Sequence, residues 1–108
     1  MRNIRILAAA AEEAAEAIDW YEGERAGLGL EFQTALDNAL DLLEAELVPL
    51  VNVSRKFGRH DLKRLLLNRF PYAIVLLVRP TEYVVVAFAH FSRRPGYWRK
   101  RIRSQPTI

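Results

Sequence analysis

A histidine, two adjacent arginines, a Pro-Gly turn and two aromatics follow one another in His90-Phe-Ser-Arg-Arg-Pro-Gly-Tyr-Trp98, and Arg99-Lys100-Arg101-Ile102-Arg103 extends the run. An imidazole titrates near neutrality, so His90 has the chemistry of a general base, or of a ring that satisfies a hydrogen bond at a sheet edge. Arg93 and Arg94 cannot serve as bases, because a guanidinium stays protonated. They can clamp phosphate or carboxylate in a bidentate manner, with a solvated basic tail as the competing account. Tyr97 and Trp98 beside these cations suit base stacking or insertion into a protein pocket, and packing back onto the sheet is the alternative, favoured for Trp98. The segment before them, Tyr83 to Ala89, is a dense apolar strand. Cationic and stacking groups are therefore expected at one rim of a rigid sheet, a setting for phosphates or an acidic protein.

Other chemistries are set aside by composition. The chain has no cysteine, which removes disulfide and thiolate chemistry, and its two His with scattered carboxylates lack metal-ligand spacing. His60, in a basic loop, reads as solvated. No glycine-rich segment follows the strand-to-helix phosphate-loop pattern, so no nucleotide or other cofactor is expected. Neither an export signal nor a membrane-spanning run is present, which makes the cytoplasm the expected compartment. With 108 residues, 51% of them hydrophobic, the chain supports one domain over 1–108. Charge divides unevenly: residues 1–50 carry three Arg against eleven Asp/Glu, and residues 51–108 carry thirteen Lys/Arg against Asp61 and Glu82. Either the basic half has a polar partner, or acidic helices neutralise a basic sheet.

The elements that must position these groups follow from periodicity. Arg2 to Leu7 reads as a first strand and Ala8 to Glu22 as a helix, with Ala14, Ala17, Ile18 and Tyr21 on one face and Glu12, Glu13 and Glu16 interacting with the dipole at its start. A second helical pattern runs from Leu28 through Phe32, Leu36, Leu40, Leu43 and Leu47, and should stop at Val48-Pro49. Residues 51–58 have no clear helical period. Asp61 to Leu67, Tyr72 to Val78 and Tyr83 to Ala89 read as strands joined by short, hence antiparallel, connections. The last two are apolar at nearly every position, so both sheet faces must be covered, one by the helical hairpin and the other by something else, a partner protein being a plausible cover. The expected fold is α+β, in the order β-α-α-β-β-β, with a helical hairpin on one face of a mainly antiparallel sheet and a basic C-terminal tail.

That order, the Ala/Glu-rich first helix ending in Asp19-Trp20-Tyr21-Glu22, the Phe57 and Tyr72 region, and above all Ala89-His-Phe-Ser-Arg-Arg-Pro-Gly-Tyr-Trp98 resemble toxins of the RelE/ParE superfamily. The resemblance covers nearly the whole chain. It implies the toxin of a bacterial type II toxin–antitoxin pair, a plasmid-stabilisation type of system causing growth arrest, held in a hetero-oligomer with its cognate antitoxin. RelE-like members cleave mRNA on the ribosome without a metal; ParE-like members inhibit DNA gyrase. Metal-free cleavage needs a proton acceptor, a proton donor and cations for the phosphorane. Lys63 and Arg64 match the basic first strand of the nuclease pattern, and Arg93 or Arg94 with Tyr97 match its C-terminal part, with His90 as a further proton-transfer candidate. Ala73 stands where the second strand's Arg is expected, and Arg69, just upstream, is a candidate substitute. The resemblance therefore implies a ParE-like gyrase inhibitor with no catalytic set, and a ribosome-dependent endonuclease as the alternative. Target contacts would be Arg69, Arg93, Arg94, Tyr97, Trp98 and Arg99. Antitoxin contacts would be Trp20, Tyr21, Phe32, Tyr83 and Phe88. A plain nucleic-acid-binding module is a third reading, supported by the pI of 9.6.

Overall fold

The computed structural model describes residues 2–53, 61–103 and 105; Phe57 and His60 lie outside them. The elements run β1 (Asn3–Ile6), α1 (Ala8–Glu24), α2 (Leu28–Glu44), β2 (Val51–Asn52), β3 (Leu62–Leu66), β4 (Tyr72–Val78), β5 (Glu82–His90) and α3 (Arg99–Arg103). The sheet order is β1-β5-β4-β3-β2, with β1 parallel to β5 and the other pairs antiparallel. This is the α+β arrangement expected from the sequence, with a two-residue strand β2 and a terminal helix α3 added to it. No helix among the described residues is long and apolar enough to cross a membrane.

The helical hairpin covers one face of the sheet. Ala10, Ala17 and Tyr21 of α1 and Phe32, Leu36 and Leu43 of α2 pack with Leu65, Ile74, Leu76, Val85 and Phe88 from the strands. Tyr21, Phe32, Phe70 and Tyr72 form a ring cluster in which Phe32 lies 5.0 Å from each of the other three, a spacing suited to edge and tilted contacts. The hairpin turn is closed by one side chain, because the Glu22 carboxylate accepts hydrogen bonds from the Gly27 and Gly29 backbone N–H groups. Negative charge at the start of α2 also opposes the helix dipole favourably. Gly27, at φ 88°, occupies the left-handed region that side chains disfavour.

Two expectations change. First, α2 ends at Glu44 instead of continuing through Leu47. Leu47 N–H bonds to the Leu42 carbonyl and Glu46 N–H to that of Leu43, a helix-ending pattern that places Glu46 at φ 58°. Secondly, the other sheet face is not left for a partner: Trp98 and Ile102 of the C-terminal segment pack on Leu62, Val75, Leu77, Val84 and Val86. Each such buried side chain stabilises the fold by about 1.5–3 kcal/mol. The basic tail is thus a docked helix with two apolar anchors four residues apart. The side chains of β5, moreover, do not alternate between faces along its whole length. Val75 pairs with Ala87 and Leu76 with Val85, so Val86 is an extra residue, a bulge that reverses the alternation beyond it. That reversal puts Phe88 beneath the helices and Ala87 on the α3 side.

Gly29 marks the tightest approach of the two helices, since an added Cβ would lie 2.7 Å from the Ile18 carbonyl oxygen. Gly29→Ala is expected to destabilise the fold by about 1–3 kcal/mol. Gly23, whose Cβ would meet nothing within 4 Å, should instead gain about 0.5–1 kcal/mol when changed to Ala. Thermal melts of the two variants check this, and the shifts in Tm should have opposite signs.

Candidate cationic cleft

At the end of the sheet on the α3 side, side chains shrink. Ala73 of β4 pairs with Ala89 of β5, and Arg64 of β3 lies opposite Val75. The recess over these alanines is a cleft of about 410 Å³, rimmed by Arg64, Arg93 and Arg94 and walled by Tyr97 and Trp98. Ala73, the position at which a nuclease-like pattern would carry Arg, is therefore part of a small apolar floor. Among the described residues no ion pair engages the three rim arginines. Their guanidinium groups are exposed and offer paired donors to an anion.

The remaining site residues separate. Lys63 is next to Arg64 on the same strand, and successive side chains of a strand point to opposite faces. It pairs in register with Leu76 of the helix-side core and bonds to Asn52, with Asp61 at 3.6 Å, so it does not join the rim. Arg69 bonds to Glu31 of α2 at 2.5 Å and lies over the Phe70 ring, on the helix side, and cannot supply the cation absent at Ala73. Arg99 is exposed on α3, outside the cleft lining. Trp98 is 5% exposed, so it is a wall and a core anchor instead of a free contact residue. Of the five antitoxin contacts expected from the sequence, only Trp20 is open, at 62% exposure. Tyr21, Phe32, Tyr83 and Phe88 are buried in the chain's own core, covered by its helices and strands.

Both proton-transfer candidates are held in hydrogen bonds within the fold. His90 Nδ1 accepts hydrogen bonds from the Ser92 N–H at 3.0 Å and the Ser92 hydroxyl at 2.7 Å. An amide donor requires a lone pair on Nδ1, so the ring proton sits on Nε2, and the ring also stacks edge-on with Tyr72. The Tyr97 hydroxyl donates to Glu13 Oε2 at 2.5 Å. Burial, and after it this bond to Glu13, push the Tyr97 phenol well above its ordinary range.

Glu13 and Arg101 are the residues that sequence reasoning missed. The strand β1 ends at Ile6, opposite Val85, and beyond that point side chains serve the edge of β5. Arg101 Nη1 donates to the Val86 carbonyl at 2.9 Å and to Glu13 Oε1 at 2.7 Å, while the Phe88 N–H donates to the same Glu13 oxygen at 3.2 Å. Glu13's carboxylate raises the Arg101 pKa. A signal existed, because Glu13 falls between Ala10 and Ala17 on the buried stripe of α1 and interrupts it with a charge.

Because the folded state favours the neutral Tyr97 phenol, the stability this provides is complete below the unfolded value of about 10 and is lost as pH rises above it. Tyrosinate absorbance should therefore show a delayed class of tyrosine in the native protein. Glu13→Gln should bring that class closer to the ordinary range, and an unchanged titration would contradict the assigned bond.

No family model matches the sequence, and no curated protein does. Among solved structures, a chain of the chromosomal ParDE TA system from P. aeruginosa is similar, with a TM-score of 0.66 over 83% of this chain and 96% of that one, at 16% identity. At that identity the likeness concerns the fold alone: a helical hairpin on a mostly antiparallel five-strand sheet.

Proposed function

We propose that this chain is the toxin of a toxin–antitoxin pair and acts, in the ParE manner, by holding an acidic surface of DNA gyrase in its cationic cleft. The observation that carries the reading is the composition of the cleft. Arg64, Arg93 and Arg94 stand over an Ala73/Ala89 floor, while the nearby Tyr97 hydroxyl and His90 Nδ1 are committed to Glu13 and Ser92. Such a site binds an anion without moving protons, which favours inhibition by contact over RNA cleavage. The fold shared with a chain of the ParDE TA system supports the toxin–antitoxin assignment.

The antitoxin in this reading covers a second surface. A groove of about 460 Å³ runs between α2 and β3, lined by Ala35, Ala39, Leu42, Val48, Val51 and Leu66. Leu42 of α2 is 45% exposed there. This groove takes the place of the buried aromatics as the contact for an apolar antitoxin segment.

Purified chain is expected to block gyrase supercoiling at a stoichiometric ratio, and Arg93→Ala with Arg94→Ala should abolish the block. Adding the antitoxin should restore supercoiling for the wild-type chain but not for Leu42→Lys. Full supercoiling at an excess of the chain, or cleavage of translated mRNA that depends on Arg64 and Arg93, would overturn the proposal.

A further inference from the structure

Arg93 reaches the cleft from an exposed turn, where an unsupported arginine would sample many rotamers. Its guanidinium carbon instead lies 4.0 Å from the centroid of the Tyr97 ring, and that of Arg101 lies 5.3 Å from the same ring. Tyr97 is fixed in turn by its 2.5 Å bond to Glu13 Oε2. The other carboxylate oxygen of Glu13 is held by Arg101 and by the Phe88 N–H. One largely buried carboxylate on α1 is thus connected, through a single ring, to a cation of the cleft rim. Glu13 itself is not part of the cleft lining.

The geometry points to Glu13 as a positioning residue for the cleft: acting through Tyr97, it holds Arg93 in the orientation that meets an anionic partner. This rests on the reading above, in which the anion belongs to an acidic protein surface. An arginine ordered before the partner arrives loses little further rotamer freedom on binding. Cation–π stacking on Tyr97 supplies that order, and the stack persists only while the ring stays in place. Arg94, for which no such ring contact is seen among the described residues, lacks this support.

Two readouts test it. In nitrogen-15-labelled protein the Arg93 Nε–Hε resonance should be displaced by the Tyr97 ring current, and Glu13→Ala should return it to the random-coil position. Tyr97→Phe, which keeps the ring and loses only the bond to Glu13, should give part of that return and serves if Glu13→Ala fails to fold. In the supercoiling assay Glu13→Ala should weaken inhibition several-fold, about as much as Arg93→Ala, and the double variant should lose little more. Gly29→Ala, which loosens the fold elsewhere, should leave the Arg93 resonance in place. An unchanged Arg93 resonance in both Glu13→Ala and Tyr97→Phe, or fully additive losses, would overturn the positioning role. A wild-type chain inert toward gyrase would remove the proposed function, while the resonance would still decide the role of Glu13.

Discussion

Where β1 stops at Ile6, the edge of β5 carries on, and its backbone donors and acceptors must be satisfied by side chains from two helices. Glu13 takes the Phe88 N–H, Arg101 takes the Val86 carbonyl, and the two side chains pair with each other. Burying a peptide group without a partner costs roughly 1–3 kcal/mol, and removing one member of a mostly buried ion pair costs on the order of 3 kcal/mol. This pairing ties the hairpin face of the sheet to the opposite face. It fixes α3, and with it Trp98 and Ile102 over the second core. The wall of the cleft is a consequence, because Tyr97 is anchored to the same carboxylate.

The cleft in turn depends on what the sheet leaves small. Ala73 and Ala89 pair across β4 and β5 and are the reason that a recess exists between Arg64 and the turn bearing Arg93 and Arg94. The bulge at Val86 contributes as well, since by reversing the alternation of β5 it directs Phe88 to the helices and Ala89 to the floor. In the proposed function, cations gathered by turn and strand over an apolar floor receive an anionic surface. The hydroxyl and imidazole beside them are hydrogen-bonded to Glu13 and Ser92.

Much of this arrangement was legible in the chain. The 3.6-residue pattern of α2 and the apolar runs of β4 and β5 are strong local signals, and they gave the helical hairpin and the antiparallel sheet. The end of α2 was not legible, because Glu46 adopts a left-handed conformation that a sequence normally announces with glycine. A five-residue basic helix has too few turns to show a period, although Trp98, just before it, and Ile102 stand four apart as apolar anchors. In the site, Arg93 and Arg94 stood out through composition, and Arg64 and Lys63 could have been separated by the alternation of a strand alone. The aromatics read as partner contacts were drawn inward by the core, since a large ring near a sheet gains more by burial than by exposure. Glu13 was hidden by its surroundings, as one carboxylate among several on an acidic helix.

The proposed function requires that the cleft bind and not cut. Pulse incorporation of labelled thymidine and methionine, minutes after the chain is induced in bacteria without an antitoxin, tests it most directly. Thymidine incorporation is expected to fall first while translation continues. An early fall in methionine incorporation, with DNA synthesis still running, would contradict it and place the target at the ribosome.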